Sequence, residues 1–169
     1  FPNCNGADLS GLDMSGQRLV TNFAQADFSP EGTTKTNLTQ ANLTKANLTK
    51  ANLTRADLNG ATLTGTNLLG ANLFGVTLNS ANLTGANLTK ADLTGATLTG
   101  TNLNGANLFG VTLNSADLTG ANLTGTTLNG AYLTGANLTG AILDDADLNG
   151  ANLNGANLAG TYLKDANLF

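Results

Sequence analysis

Leucine stands at every fifth position from Leu38 to Leu168, 27 times without a break, and Phe23 and Phe28 extend the register backwards past one lapse at Thr33. Few folds tolerate that spacing. In an α-helix five residues advance about 500°, so successive leucines lie roughly 140° apart and ring the helix instead of forming a stripe. In a flat strand an odd step sends alternate leucines to opposite faces. A chain that turns a quarter-circle at each pentapeptide points every leucine at one axis, and four pentapeptides then close one coil. Coils stacked at the strand spacing of ~4.8 Å set each leucine on another a full coil away, as in Leu43, Leu63, Leu83 and Leu103.

The positions around each leucine fit that coil. Two residues before it the side chain is small: Ala twenty times, Thr five times, Val twice. An inward slot beside the leucine explains this, because a larger group would burst the coil. Between the two stands Asn or Asp in fifteen and four of the 27 repeats, pointing outward or bonding the backbone at the corner. Gly recurs two places after Leu, as in Leu83-Thr84-Gly85, where a tight turn with positive φ favours it. At Lys45, Lys50, Arg55 and Lys90 that slot is filled otherwise, and a different turn geometry is expected there. With no Trp, six Phe and two Tyr, the chain lacks material for an ordinary two-layer core, so burial must come from many small identical contributions.

The pattern Ala-(Asn/Asp)-Leu-Thr-Gly over residues 36–169 resembles the pentapeptide-repeat family. The resemblance implies an all-β fold, a right-handed quadrilateral parallel β-helix of about eight stacked coils. Thirty slots from Phe23 to Leu168 make seven and a half coils, a rod of roughly 36 Å. Residues 1–22, where Leu9, Met14 and Leu19 run one position out of phase, read as an offset first coil or N-terminal cap. Residues 23–169 read as the solenoid, with a corner loop near 29–35 at Ser29-Pro30-Glu31-Gly32, and the whole as a single domain. The chain opens on Phe1, as a mature form or an excised piece would. It closes in mid-pattern on Leu168-Phe169, which leaves either a natural continuation or two rods meeting end to end.

A longer repeat lies within the short one. Residues 66–100 match 101–135 at 28 of 35 positions. Thirty-five is seven pentapeptides, so the copy is rotated by a quarter-turn, Phe74 and Phe109 fall on different faces, and the faces read as nearly interchangeable.

Catalysis finds no foothold: there is no His, and a filled rod offers no cleft in which carboxylates could converge, so no enzyme is expected. No cofactor is expected either, and no metal: Cys4 is the only cysteine, and Asp145-Ala-Asp147-Leu-Asn149-Gly150, although it opens like a calcium loop, has Ala156 where the loop needs Glu. Asn-Leu-Thr sequons recur because the repeat generates them. No apolar run reaches bilayer length, so this segment is not expected to insert in a membrane.

The candidate interaction surface is Ile142 with Tyr162, twenty apart and so stacked on one face, together with Leu168 and Phe169 at the final coil. Other outward apolar residues, Leu69, Phe74, Phe109 and Tyr132, read as scattered surface. The leading expectation is a non-catalytic structural or protein-interaction rod with an unidentified protein partner, the soluble domain of a larger membrane-associated bacterial protein, with end-to-end self-association as an option. The resemblance to Thr- and Asn-rich repeats suggests a cyanobacterial-type source and a periplasmic or thylakoid-lumenal place. The alternative, also brought by the resemblance, is a DNA-mimicking binder of a type II topoisomerase such as gyrase. Charge opposes it, as it opposes nucleic-acid binding: duplex DNA carries about twenty charges over such a length, against a net −4 here that includes Lys45, Lys50 and Arg55. A third reading, binding of ice or another ordered surface, has only the short file Thr99, Thr119 and Thr139, interrupted by Asn79 and Ala159.

Overall fold

The backbone returns to the same side of the molecule every twenty residues. Parallel bridges join Asn37 to Asp57, Asn42 to Thr62, Asn47 to Asn67 and Asn52 to Asn72, and the offset persists to the pair Asp147 and Asn167. The computed structural model describes residues 4, 6–9, 11–19 and 22–168. Its four faces are named here by their inward leucines: the first carries Leu38 to Leu158, the second Leu43 to Leu163, the third Leu48 to Leu168 and the fourth Leu53 to Leu153. Only one residue per face is bridged before the chain turns, so the faces are ladders of single bridges and not extended strands.

One pentapeptide shows why the coil holds. Ala81 N–H donates to Leu78 O at 2.9 Å across the preceding turn, Asn82 N–H to Ala61 O of the coil before at 2.9 Å, and Leu83 and Gly85 N–H to Asn102 O and Asn104 O of the coil after at 2.7 and 3.0 Å. The fifth donor, Thr84 N–H, reaches Asn82 Oδ1 at 3.0 Å. Every backbone N–H is thus used, three between coils and two within corners, as a buried backbone requires. The fifth bond gives the Asn/Asp preference its cause: the side chain closes an Asx turn on the corner amide. A Thr in the next position donates its hydroxyl to the same oxygen, as Thr84 does at 2.6 Å.

The interior follows the expected slots. Every leucine from Leu38 to Leu148 is at most 2% exposed, and the small residues beside them are equally dry. Four of the five Thr in that small slot, Thr36, Thr66, Thr101 and Thr126, are buried with them. Their hydroxyls are satisfied by leucine carbonyls where the slot is deep, as Thr66 Oγ1 is by Leu43 O at 2.7 Å. Burying a hydroxyl is tolerated only on that condition. In the last coil Leu153 and Leu163 are half-buried, while Leu158 and Leu168 are 38% and 43% exposed.

The turn geometry departs from expectation. Lys45, Lys50, Arg55 and Lys90 have φ of 57°, 55°, 55° and 56°, beside 60° to 68° at the glycines of the same slot. Both sets lie in the left-handed region, and the corner bond is unchanged, Ala46 N–H to Leu43 O at 2.9 Å. A left-handed non-glycine residue costs about 1–2 kcal/mol, less than the ladder bonds that a different corner would break on both sides.

The N-terminal part joins the same stack. Leu9, Met14 and Leu19 N–H donate to Asp27, Asn37 and Asn42 O, each at 2.7 Å. The step from Leu19 to Phe23 is four residues and not five, which absorbs the shift in phase. Between Phe28 and Leu38 the chain leaves the coil in a small outward loop, where Glu31 and Thr34 pair antiparallel. Buried Thr36 closes its base, accepting from Gly11 N–H at 2.9 Å and donating toward Ser29 O at 3.3 Å. Because Thr33 lies in this loop, it is no slot of the coil. Counting inward positions from Cys4 gives eight coils and the start of a ninth, about 40 Å at ~4.8 Å per coil.

Candidate interaction surface

The outward side chains divide into those committed to the rod itself and those left free of it. Asn and Asp before each leucine are mostly committed, to the corner amide and to each other: Asn47 Nδ2 donates to Asn22 Oδ1 at 3.0 Å and Asn52 Nδ2 to Asp27 Oδ1 at 3.0 Å. In four of the seven repeats where Thr or Tyr replaces the Asx residue, those of Thr77, Thr97, Tyr132 and Tyr162, a second device appears. Asn59, Asn79, Asn114 and Asp144, each just after a leucine, accept the corner N–H one coil further on, from Asn79, Thr99, Thr134 and Lys164 at 2.9 to 3.1 Å. Sequence reasoning missed this substitution. Its signal is an Asn or Asp eighteen residues ahead of a repeat that lacks its own.

Carboxylates take part in the same network. Asp117 accepts the Thr119 hydroxyl at 2.6 Å, the Thr119 N–H at 3.0 Å, and longer bonds from Thr99 Oγ1 and Asn137 Nδ2. The Thr119 hydroxyl foremost holds its carboxyl below the ordinary 3.8; partial burial opposes it next, and the Thr119 N–H, Thr99 hydroxyl and Asn137 amide add to the lowering. Asp147 is lowered in the same sense by Asn129 Nδ2 at 2.7 Å, then Asn149 N–H and Asn167 Nδ2. Asp147 is therefore occupied by protein donors, and Asp145 occupies a left-handed corner with φ of 59°. The Thr file of the first face is tied down too: Thr119 and Thr139 hydroxyls donate to Asp117 and Asn137 and accept from Asn137 and Asn157.

The apolar outward residues are the ones without such commitments. Ile142 and Tyr162 pair across adjacent coils of the second face, Ile142 half-buried and Tyr162 61% exposed. Leu168 lies on the third face at the end of the stack, and Phe169 lies outside the described residues. The remaining four are not scattered. Tyr132 projects from the fourth face itself, while Leu69 and Phe109 sit in turns entering that face and Phe74 in a turn leaving it. They are 52%, 37%, 47% and 42% exposed, and every other large exposed apolar residue described lies in a terminal coil. Phe74 and Phe109 thus border one face from its two edges.

Comparison with known proteins agrees with this architecture. The model of the family described as pentapeptide repeats matches in eight copies, over residues 34–70, 71–110, 106–145 and 131–168. Among solved structures, HetL, a pentapeptide repeat protein involved in heterocyst differentiation regulation in the cyanobacterium Nostoc sp. strain PCC 7120, is 33% identical. That match covers 98% of this chain and 82% of HetL, with a TM-score of 0.54. Rfr23 of the cyanobacterium Cyanothece 51142 is 28% identical over 95% of this chain and 90% of its own, with a TM-score of 0.27. QnrB1, a plasmid-mediated fluoroquinolone resistance protein, is 23% identical over 95% and 84%, with a TM-score of 0.41. No curated protein matches the chain. The coil of stacked pentapeptides is a right-handed quadrilateral parallel β-helix, and the chain belongs to the pentapeptide-repeat family.

Proposed function

We propose that the protein is a non-catalytic rod that works by presenting fixed side-chain rows to a protein partner. The observation that carries this reading is the division of its surface: Asn, Asp and Thr side chains are largely consumed in closing the corners, while a few apolar and cationic groups stand out at spacings set by the ladder. A rigid scaffold with its interaction groups already in place loses little conformational freedom on binding. The interior, packed with leucine at 0–2% exposure, leaves no room for a substrate. Ile142 with Tyr162, bridged across adjacent coils of the second face, forms one contact site. The gyrase reading gains nothing from this surface, since Lys45, Lys50 and Arg55 occupy consecutive corners of one coil and break any phosphate-like array.

Quantitative cross-linking of the tagged rod in extracts of its source cells tests the proposal, alongside the double variant Ile142→Thr, Tyr162→Thr. Both replacements match residues found in that slot, so the coil should survive. A partner retained saturably by the native rod and lost with the variant is the expected outcome. Equal retention by both would reject this contact site, and the absence of any saturable partner would reject the interaction reading itself.

A further inference from the structure

The fourth face carries a second pattern, in charge. Leu69-Gly70, Phe74-Gly75 and Phe109-Gly110 each lie one coil below a cation, Lys50, Arg55 and Lys90 respectively. The cation's N–H donates to the apolar residue's carbonyl at 2.9, 2.8 and 2.9 Å. Its stem descends along the glycine: a Cβ built on Gly70, Gly75 or Gly110 would lie 3.7, 3.4 or 3.7 Å from the Cγ of Lys50, Arg55 or Lys90. Each exposed apolar corner of the mid-rod therefore has a cationic side chain running down beside it. Among the described residues the ammonium and guanidinium groups of these three make no ion pair, the one such pair being Lys164 with Asp165. Asp92, on the face itself, accepts the N–H and hydroxyl of Thr94 at 2.9 and 2.6 Å, and Asp57, in the repeat after Arg55, accepts Asn59 N–H and the Thr77 hydroxyl at 3.1 Å each.

We propose that the fourth face, framed by Lys50, Leu69, Lys90 and Phe109 on one edge and Arg55 and Phe74 on the other, docks an extended acidic segment of a partner protein whose carboxylates alternate with apolar side chains. Geometry sets the spacing. Lys50 and Lys90 stand two coils apart, ~9.6 Å, close to one turn of a polyproline II chain, whose three residues at ~3.1 Å each bring side chains back to the same side. Leu69 falls between them and Phe109 beyond, so a peptide lying along the rod meets cation, apolar group, cation and apolar group in turn. The backbone of the face is consumed by the ladder, so recognition comes from side chains alone and does not add a strand. Unpaired cations beside apolar surface favour carboxylates flanked by apolar groups, with charge giving orientation and rate and the apolar contacts giving retention.

This inference rests on the protein-interaction reading, and its test is arranged to fail separately. Fluorescence anisotropy would measure binding of an array of labelled 12-residue peptides, with Glu at three-residue intervals and Leu, Phe or Ser between, against counterparts carrying Lys for Glu. Two triple variants accompany the native rod: Lys50→Ser, Arg55→Ser, Lys90→Ser, and Leu69→Thr, Phe74→Thr, Phe109→Thr. Ser and Thr already occupy these slots at Ser80, Ser115 and Thr89, so both variants keep the coil, as far-UV circular dichroism would verify. The expected result is that Glu peptides with Leu or Phe bind at least tenfold tighter than their Lys and Ser counterparts, weaken with added salt, and lose at least tenfold affinity for each triple variant. The proposal is overturned if no Glu peptide exceeds its Lys counterpart tenfold, or if either variant binds like the native rod. It is equally overturned if the variants instead abolish binding to phosphatidylserine vesicles, to 20-base-pair DNA or to a second copy of the rod while peptide binding is absent. Loss of the peptide result with retention of the Ile142 and Tyr162 effect leaves the interaction rod standing and removes only this face.

Discussion

Asn79 offers a sharp test of how the corners are closed. Its Oδ1 accepts the N–H of Thr99, one coil on, at 3.1 Å. The repeat containing Thr99 needs that loan because residue 97 is Thr and not Asn, and the Thr97 hydroxyl is the one buried side-chain polar atom described that has no partner. Asn79→Ala strips the acceptor from Thr99 N–H. Thr99 is exposed, so water recovers part of the loss, and the cost should be about 1 kcal/mol, the net worth of an ordinary hydrogen bond. Adding Thr97→Asn supplies the carboxamide from two residues upstream, as Asn82 does for Thr84 at 3.0 Å, and removes the orphaned hydroxyl as well. In that background Asn79→Ala should cost almost nothing, a coupling of about 1 kcal/mol between neighbours in a double-mutant cycle. Asn104→Ala is the internal control, since Thr124 N–H already has Asn122 Oδ1 at 3.0 Å, and it should be neutral. Stacked coils open locally as well as globally, so amide hydrogen exchange at Thr99 and Thr124, read by NMR, reports the turn itself beside urea unfolding. Equal costs for Asn79→Ala with and without Thr97→Asn would refute the argument.

Leu98→Ala, at a site 1% exposed and pinned by the ladder on both sides, should cost about 3–5 kcal/mol in urea unfolding, whereas Leu158→Ala, already 38% exposed, should cost about 1–2; comparable losses would mean the interior is not continuous. Gly85→Lys should cost about 1 kcal/mol, because the corner accepts lysine at φ near 56° and nothing lies within 4 Å of the new Cβ. Gly11→Ala should cost about 2 kcal/mol or more, its Cβ falling 2.9 Å from that of Glu31. Asp117 and Asp147 titrate below 3.8 when folded, so the stability they confer is fully present above that value and is lost as pH falls through their folded pKa. Unfolding midpoints should therefore hold from pH 7 to 5 and drop toward pH 3, less steeply in Asp117→Asn; a midpoint that rises on acidification would contradict the hydrogen bonds assigned to these carboxylates.

What was legible in the sequence followed from period and side-chain volume. A leucine every five residues and a small residue two places earlier leave one way to bury both, and the inward rows from Leu38 to Leu148 are dry as that reasoning required. The corners were less legible because residue preference was taken for geometry. Glycine dominates a slot with positive φ, yet Lys45, Lys50 and Arg55 take the same conformation, because each corner is clamped by bonds such as Lys45 N–H to Thr64 O at 2.9 Å and Ala46 N–H to Leu43 O. Propensity there sets a cost of about 1–2 kcal/mol and does not choose the turn. The phase shift before Phe23 was visible, but its resolution was not: a short step and an outward loop tied down by Thr36 depend on contacts between residues 25 apart.

The surface was misread for a geometric reason that the internal duplication makes plain. Assigning each residue to the face of its nearest leucine separates Phe74 from Phe109, since their leucines, Leu73 and Leu108, lie on the fourth and third faces. Residues that follow a leucine, however, belong to turns, and a turn borders two faces at once. A copy shifted by seven pentapeptides is displaced by a quarter-turn backwards, so a side chain in the turn leaving the fourth face reappears in the turn entering it. The quarter-turn that seemed to disperse the phenylalanines therefore set them on opposite margins of one face, with Leu69 above Phe109 on the same edge. A duplication of eight pentapeptides would have stacked Phe74 and its copy in a single file along one edge. Seven widen the row into a surface, and the cations above Gly70, Gly75 and Gly110 give that surface its sign.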